Sequence, residues 1–316
     1  MNGIFEVNYA AFSVFAALLV TEIMGAVGLL IAWPSRSKVL DYIVPVWEVT
    51  GTFGALWVVT GDFAYPGLLV PVSEIFTPLL IIFLILWVAR GASIAFAEFI
   101  TKRGWLDEEK LFKSYGVATM VLGLVVLVLL SALVGGQGVS LVSGSFSIIS
   151  WATAGSVVFV IGTLLLAVGL APVFFDLSAL RNLVLPLTGI GVILSVLSYW
   201  LMSPGLLTAW MAVPVLLTLA VGALYAWRKT SKIVTNKAVF LVVLSLIVFS
   251  LQPLVYPKAI GQALSIDAVT TTGAMADAFF SITVVGGLLL ALMLSLYVVV
   301  AARGPSGPGS DSVASV

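Results

Sequence analysis

Four charged residues in the first third of the chain, Glu22, Glu48, Arg90 and Glu98, stand inside otherwise apolar runs. Three are carboxylic acids. A carboxyl group that alternates between protonated and ionised forms can carry protons through a region that excludes water, whereas one left ionised near a bilayer centre costs at least ~2.5–3.5 kcal/mol. Each acid therefore needs a partner, water or a proton. Arg90 can pair with one of them, and two carboxyl groups in one helical unit need more than one arginine. The plain reading is an Arg90–glutamate pair, with Glu98 resting near the end of its span. The functional reading is a chain of protonatable groups, Glu48, Glu22 and Glu98, reaching into the membrane from one side. On a helix Glu48, Gly51, Thr52 and Ala55 share a face. That polar, small-residue stripe suits a packed neighbour or held water, and Trp47 stands beside it. No Gly-rich phosphate loop, nucleophile triad or metal-ligand cluster appears. With neither cysteine nor histidine in the sequence, disulfides, iron–sulfur clusters, bis-His haem sites and most catalytic metal sites are excluded. No catalytic residue and no metal ligand are expected in this chain.

The elements that must hold these residues follow from composition. The chain is 61% hydrophobic and 9% charged, with a mean hydropathy of +1.22, against roughly 25% charged residues in a soluble domain. Lipid must cover most of its surface. A helix crossing a ~30 Å hydrocarbon core needs about 20 apolar residues. Apolar runs place nine spans near Tyr9–Trp33, Val44–Thr60, Phe76–Phe99, Tyr115–Val134, Ser147–Ala171, Leu180–Met202, Leu206–Trp227, Ala238–Leu254 and Phe279–Ala302. The second and eighth are short. Arg36 and Lys38, the Lys102–Lys113 group, Arg181, the Arg228–Lys237 group and Arg303 all follow odd-numbered spans, and only Lys258 falls on the other side. Cytoplasmic loops collect Lys and Arg, so the N-terminus is expected outside and the C-terminus in the cytoplasm of a multi-pass plasma-membrane protein. Glu6 and the lack of a basic n-region argue against a cleaved signal peptide. The zero net charge implies no nucleic-acid partner. Trp33, Trp57, Trp151 and Trp227 fall near expected span ends, as an interfacial belt requires.

A faint repeat divides the chain. Ala26-Val27-Gly28-Leu29 matches Ala167-Val168-Gly169-Leu170, and Pro45 matches Pro186 at the same offset. Both prolines are expected in the first turn of an even-numbered span, where proline is tolerated. The implied fold is all-α: a four-helix unit over 1–134, a second over 135–257, an outer connection and ninth helix over 258–303, and a disordered Gly/Ser/Pro tail over 304–316. The second unit has no matching acids, since Thr163 falls opposite Glu22 and Gly189 opposite Glu48.

Pro45-Val46-Trp47-Glu48-Val49-Thr50-Gly51 resembles the signature of subunit II of cytochrome bd-type quinol oxidases, in which a Pro-x-Trp-acid run opens the second helix. Val20-Thr21-Glu22 with Gly25 and Gly28 is similar to that family's first helix. Arg90-Gly91 followed by Ala95-Phe96-Ala97-Glu98-Phe99 is similar to its third. The resemblance covers about residues 10–110 and is architectural beyond. Val46 stands where the bacterial pattern often has histidine, Thr50 where it has asparagine, and the Arg90–Glu98 spacing is longer, as in a divergent, archaeal-like branch. The resemblance implies two four-helix bundles plus one helix and a haem-free subunit that scaffolds subunit I. That partner would hold the b- and d-type haems and the main quinol site, with room for a small extra subunit. It also implies that an acid at Glu48 serves proton delivery from the cytoplasm, supported by Arg90, Trp47 and Thr52. Whether quinone binds this chain stays open. A proton-coupled secondary transporter, which also uses repeats and intramembrane acids, and a quinol-binding anchor of another respiratory complex are the alternatives.

Overall fold

Lipid offers no hydrogen-bond partner, so each spanning segment must satisfy its own backbone, and helices are the outcome for apolar runs of this length. A computed structural model describes residues 4–100, 107–202, 211–227, 236–251, 258–259 and 264–265, with scattered positions between 280 and 295. The helices are α1 (Ile4–Ile31), α2 (Arg36–Ala64), α3 (Leu69–Phe99), α4 (Glu108–Gly135), the single turn α5 (Ile148–Trp151), α6 (Ala154–Phe175), α7 (Arg181–Met202), α8 (Ala212–Ala226) and α9 (Lys237–Leu251). Six stretches among the described residues are long and apolar enough to cross a membrane, and α8 and α9 are shorter apolar helices. The described positions of the expected ninth span are helical. The tail over 304–316 lies outside the described residues. Of the expected outer connection, β1 (Lys258–Ala259) and β2 (Leu264–Ser265) are described and pair antiparallel.

The spans agree in place with the apolar runs and differ at their ends. The second is not short. Its helix begins at Arg36, because Arg36, Ser37, Lys38 and Asp41 are exposed on a helical turn that continues into the apolar run. Pro45 is therefore inside α2, not in its first turn, and Pro186 is likewise inside α7. A proline there leaves the carbonyl four residues earlier without its helical partner. Trp57, two turns before the end of α2, stacks on Phe15 with ring centroids 5.7 Å apart. The fifth span is broken: Ser147 caps α5, the chain turns at Ala152, and Thr153 caps α6 through the Ser156 backbone N–H. A hairpin of β3 (Val139–Ser140) and β4 (Ser145–Phe146) precedes it, so the extra residues of this connection fold onto the bundle end.

The two matched segments share local features. α1 and α6 each end in a single 3₁₀ turn, Trp33–Ser35 and Ser178–Leu180, from which Arg36 starts α2 and Arg181 starts α7. The matched glycines do the same work. A Cβ on Gly28 would stand 2.7 Å from Val39 of α2, and one on Gly169 would stand 2.8 Å from the Thr188 backbone of α7. Each hairpin thus closes on a glycine that lets the following helix approach. α1 is the central rod, packing on α2, α4, α6 and α9, and its residues from Ala17 to Leu29 are almost all buried.

One bundle end gathers the basic residues. Lys38 pairs with Asp176 at 3.0 Å, and the Tyr225 hydroxyl donates to the same carboxylate at 3.1 Å. Arg181 lies 4.8 Å over the Tyr225 ring, Lys237 donates to the Lys38 carbonyl at 3.1 Å, and Arg36 and Lys113 both lie over Trp33. Asp176, at φ 49, takes the left-handed cap that ends α6. At this same end Asp107 caps α4. The Lys110 side chain and its backbone N–H both donate to it and hold its carboxyl below the usual carboxylate range. Among the described residues, Arg36, Lys38, Lys110, Lys113, Arg181 and Lys237 thus share one end of the bundle.

The native chain has no cysteine, so single cysteines report position cleanly. Cysteines at Ser37 and Ser143, both exposed and at opposite ends of the bundle, should react with an impermeant thiol reagent from opposite sides of the membrane, Ser143 from outside. Labelling of both from one side would contradict the fold, and a reversed pattern would overturn the orientation.

Candidate functional site

α1 carries Thr21 and Glu22 into the centre of the first four helices. Glu22 is 0% exposed and Arg90 of α3 is 1% exposed. The Arg90 Nη1 donates directly to Glu22 Oε2, and the Tyr115 hydroxyl of α4 donates to the same oxygen at 2.7 Å. One carboxylate oxygen thus ties three helices together. Arg90 is held from behind by Trp87, one turn earlier on α3, whose ring lies 4.1 Å below the guanidinium, and Tyr115 contributes a second aromatic face at 6.0 Å. Beside the knot, the Thr21 and Tyr42 hydroxyls share a hydrogen bond of 2.8 Å that links α1 to α2. Glu22 Oε1, Arg90 Nε and Thr119 Oγ1 are buried without a hydrogen-bond partner.

α2 meets α3 through a reciprocal contact. Trp47 and Gly51 on α2 have the same four-residue spacing as Trp87 and Gly91 on α3, so on each helix the two share a face. A Cβ on Gly51 would come 3.0 Å from Trp87, and one on Gly91 would come 3.4 Å from Trp47. Each tryptophan lies on the other helix's glycine. Trp87 is therefore braced between Gly51 and Arg90, which fixes the arginine that meets Glu22.

The structure joins Glu22 to Arg90 and leaves the other acids apart. Glu48 is exposed, on the outward face of α2. Glu48 lies about 10 Å along the α2 axis from Asp41 and about 20 Å from Asp62 at ~1.5 Å per residue. Thr52 donates back to the Glu48 carbonyl at 3.0 Å. Trp47 is half-buried, turned inward toward α3. Glu98 is exposed one residue before the end of α3. No group of three acids that would suit a metal forms among the described residues. Sequence reasoning missed Tyr115, Trp87 and Tyr42. Their signal was weak, since an aromatic in an apolar run reads as packing, and only the hydroxyl's direction reveals a partner.

No protein-family model matches the chain, and no curated protein sequence matches it. Among solved structures, a bd oxidase from Geobacillus thermodenitrificans is similar, with a TM-score of 0.69 and 16% identity over 96% of this chain and 100% of that one. At such identity the likeness is one of fold. The chain is a multi-pass helical membrane protein with a bd-oxidase-like fold.

Removing one partner of a buried ion pair leaves an uncompensated charge and costs about 3–5 kcal/mol. Arg90→Met should destabilise the chain by about that much, while Tyr115→Phe, which removes one hydrogen bond to a charged acceptor, should cost about 1.5–3 kcal/mol. In a double-mutant cycle the Glu22→Gln and Arg90→Gln effects on unfolding in detergent should be strongly non-additive. Additive effects would show that the pair is not formed.

Proposed function

We propose that this chain is the haem-free second subunit of a cytochrome bd-type quinol:O2 oxidoreductase of the plasma membrane. The observation that carries the reading is the fold likeness to a bd oxidase over the whole length of both chains. The Trp47-Glu48 and Arg90-Gly91 motifs, which stand on the paired helices α2 and α3, support it. The haems belong to the partner subunit. This chain lacks histidine and cysteine and so has no side chains suited to the usual axial pairs. Quinol oxidation and dioxygen reduction to water take place mainly in that partner, and this chain scaffolds it and conducts protons.

In this reading Glu98, at the basic end of α3, and Glu48, further along α2, are the acids that exchange protons with the cytoplasmic side, and Glu22 stands behind them in its pair with Arg90. Glu48 carries the main weight, because its side chain has no partner in the described chain and stands where an ionised carboxylate is costly. Trp47 and Thr52 hold the backbone on either side of it.

The chain, tagged and purified in its native complex, should bring with it a membrane chain whose reduced-minus-oxidised spectrum shows b- and d-type haem bands. Expressed alone, it should show none. Recovery without any haem-bearing chain would overturn the reading. Glu48→Gln, which keeps shape and removes the titratable proton, should leave assembly and haem content intact and lower quinol-driven oxygen consumption at least ~tenfold, within the range of a positioned proton carrier. Glu48→Asp should be milder. Wild-type turnover in Glu48→Gln would assign the carboxyl a structural role instead.

A further inference from the structure

Asp176, in the left-handed cap that ends α6, gathers side chains from four other helices. Lys38 of α2 donates to its carboxylate at 3.0 Å and to its backbone carbonyl at 2.9 Å, and Tyr225 of α8 donates to its other carboxylate oxygen at 3.1 Å. Two more cations stand beyond these partners. Arg181, the first residue of α7, lies 4.8 Å over the Tyr225 ring, and its buried Nε has no hydrogen-bond partner. Lys237, the first residue of α9, donates to the Lys38 carbonyl at 3.1 Å and lies 5.4 Å over both Tyr42 and Phe175. Asp176 is thus satisfied, while Arg181 and Lys237 are half-buried and, among the described residues, form no ion pair. A cation that has given up part of its water without gaining a counter-ion is costly, and an anion from outside the chain relieves that cost.

The surroundings select the kind of anion. Each cation stands at the head of an apolar stripe that begins two residues further on: Leu183, Ile190 and Ile193 of α7, and Val239, Val242 and Leu246 of α9, all exposed. The spacing keeps each stripe on one helix face. A ligand here places its charge among basic groups and aromatic rings, and the rest of itself along helices that face hydrocarbon. A free phosphate uses only the first of these surfaces. A lipid with an anionic phosphodiester headgroup uses both, and its phosphate suits the planar fork of Arg181 and the point charge of Lys237. The cytoplasmic orientation expected from the basic residues sets the cluster against the leaflet that carries anionic lipid.

We propose that Arg181 and Lys237 bind the anionic phosphodiester headgroups of membrane phospholipid, with the acyl chains laid along the apolar stripes of α7 and α9. Lipid held there steadies the junction of α2, α6, α7 and α9. The direct tie across that junction is the Lys38–Asp176 pair, whose side chains are 50% and 55% exposed, and an ion pair so open to water contributes little by itself. The site does not depend on the oxidase reading, since it uses only residues of this chain and the lipid around it.

The test uses the protein as purified from native membranes, stripped of lipid by detergent exchange. It is titrated in native mass spectrometry with short-chain phosphatidylglycerol, with phosphatidylcholine of equal chain length, and with inorganic phosphate. Phosphatidylglycerol should be taken up in preference to phosphatidylcholine, and inorganic phosphate should not displace it. Arg181→Gln combined with Lys237→Gln should weaken the tightest phosphatidylglycerol binding roughly thirtyfold, from about a fivefold loss for each cation near the membrane surface. Arg181→Lys combined with Lys237→Arg, which keeps both charges, should retain most of it. Lys110→Gln combined with Lys113→Gln removes two charges from the same end that already have carboxylate partners, and should leave the binding unchanged. Equal losses in the two neutralised pairs would reduce the effect to general attraction and overturn the site. Equal uptake of the two lipids would also overturn it, and displacement by inorganic phosphate would assign the cluster to a soluble anion instead. Should the double variant not assemble, Arg181→Gln alone decides, with an expected loss of about fivefold against none if the site is wrong.

Discussion

A membrane interior gives a buried charge nothing to bind but other protein groups, and in this chain that constraint is concentrated on one carboxylate. Glu22 has no exposure, and its Oε2 receives both Arg90 and Tyr115. The three helices that bring these groups are not consecutive in the chain, so the pair is a long-range condition on the fold and not a local decoration. α1 must run through the middle for Glu22 to be reached, α3 must face it with its Arg90 side, and α4 must close the other flank. The Trp87 ring that supports Arg90 is itself set by Gly51 of α2. Through that contact the position of the outward acid Glu48 is coupled to the position of the buried one.

Much of this was legible in the sequence because hydrocarbon thickness and charge cost impose coarse, robust signals. The apolar runs located the described helices, and of the basic residues that follow odd-numbered spans, Arg36, Lys38, Lys113, Arg181 and Lys237 stand together around Trp33, Asp176 and Tyr225. The repeat rested on five matched positions, among them a pair of glycines, Gly28 and Gly169, each under a following helix. The pairing of Arg90 with one glutamate was foreseeable from scarcity alone.

What was not legible has a common cause. A hydropathy run reports where lipid-compatible residues lie, not where helical backbone begins. α2 continues through Arg36, Lys38 and Asp41, so its start and the interior position of Pro45 were misjudged together. Rotation about the helix axis is equally silent in a chain apolar on every face. The face shared by Glu48, Thr52 and Ala55 suggested a neighbour, yet among the described residues Glu48 and Ala55 are exposed. Aromatic side chains were ambiguous for the same reason. Trp57 stacks on Phe15 inside the bundle, and Tyr115, whose partner nothing in the sequence marks, supplies a hydroxyl to the ion pair.

If this chain is, as proposed, one half of a haem-bearing membrane complex, its cofactors lie in the partner. A cryo-electron-microscopy reconstruction of the complex isolated from native membranes tests this most directly. The expected result is a second multi-pass chain holding all the haem density, with none inside the bundle around Glu22. Haem density within this chain's own helices, or a reconstruction without any haem-bearing partner chain, would contradict it.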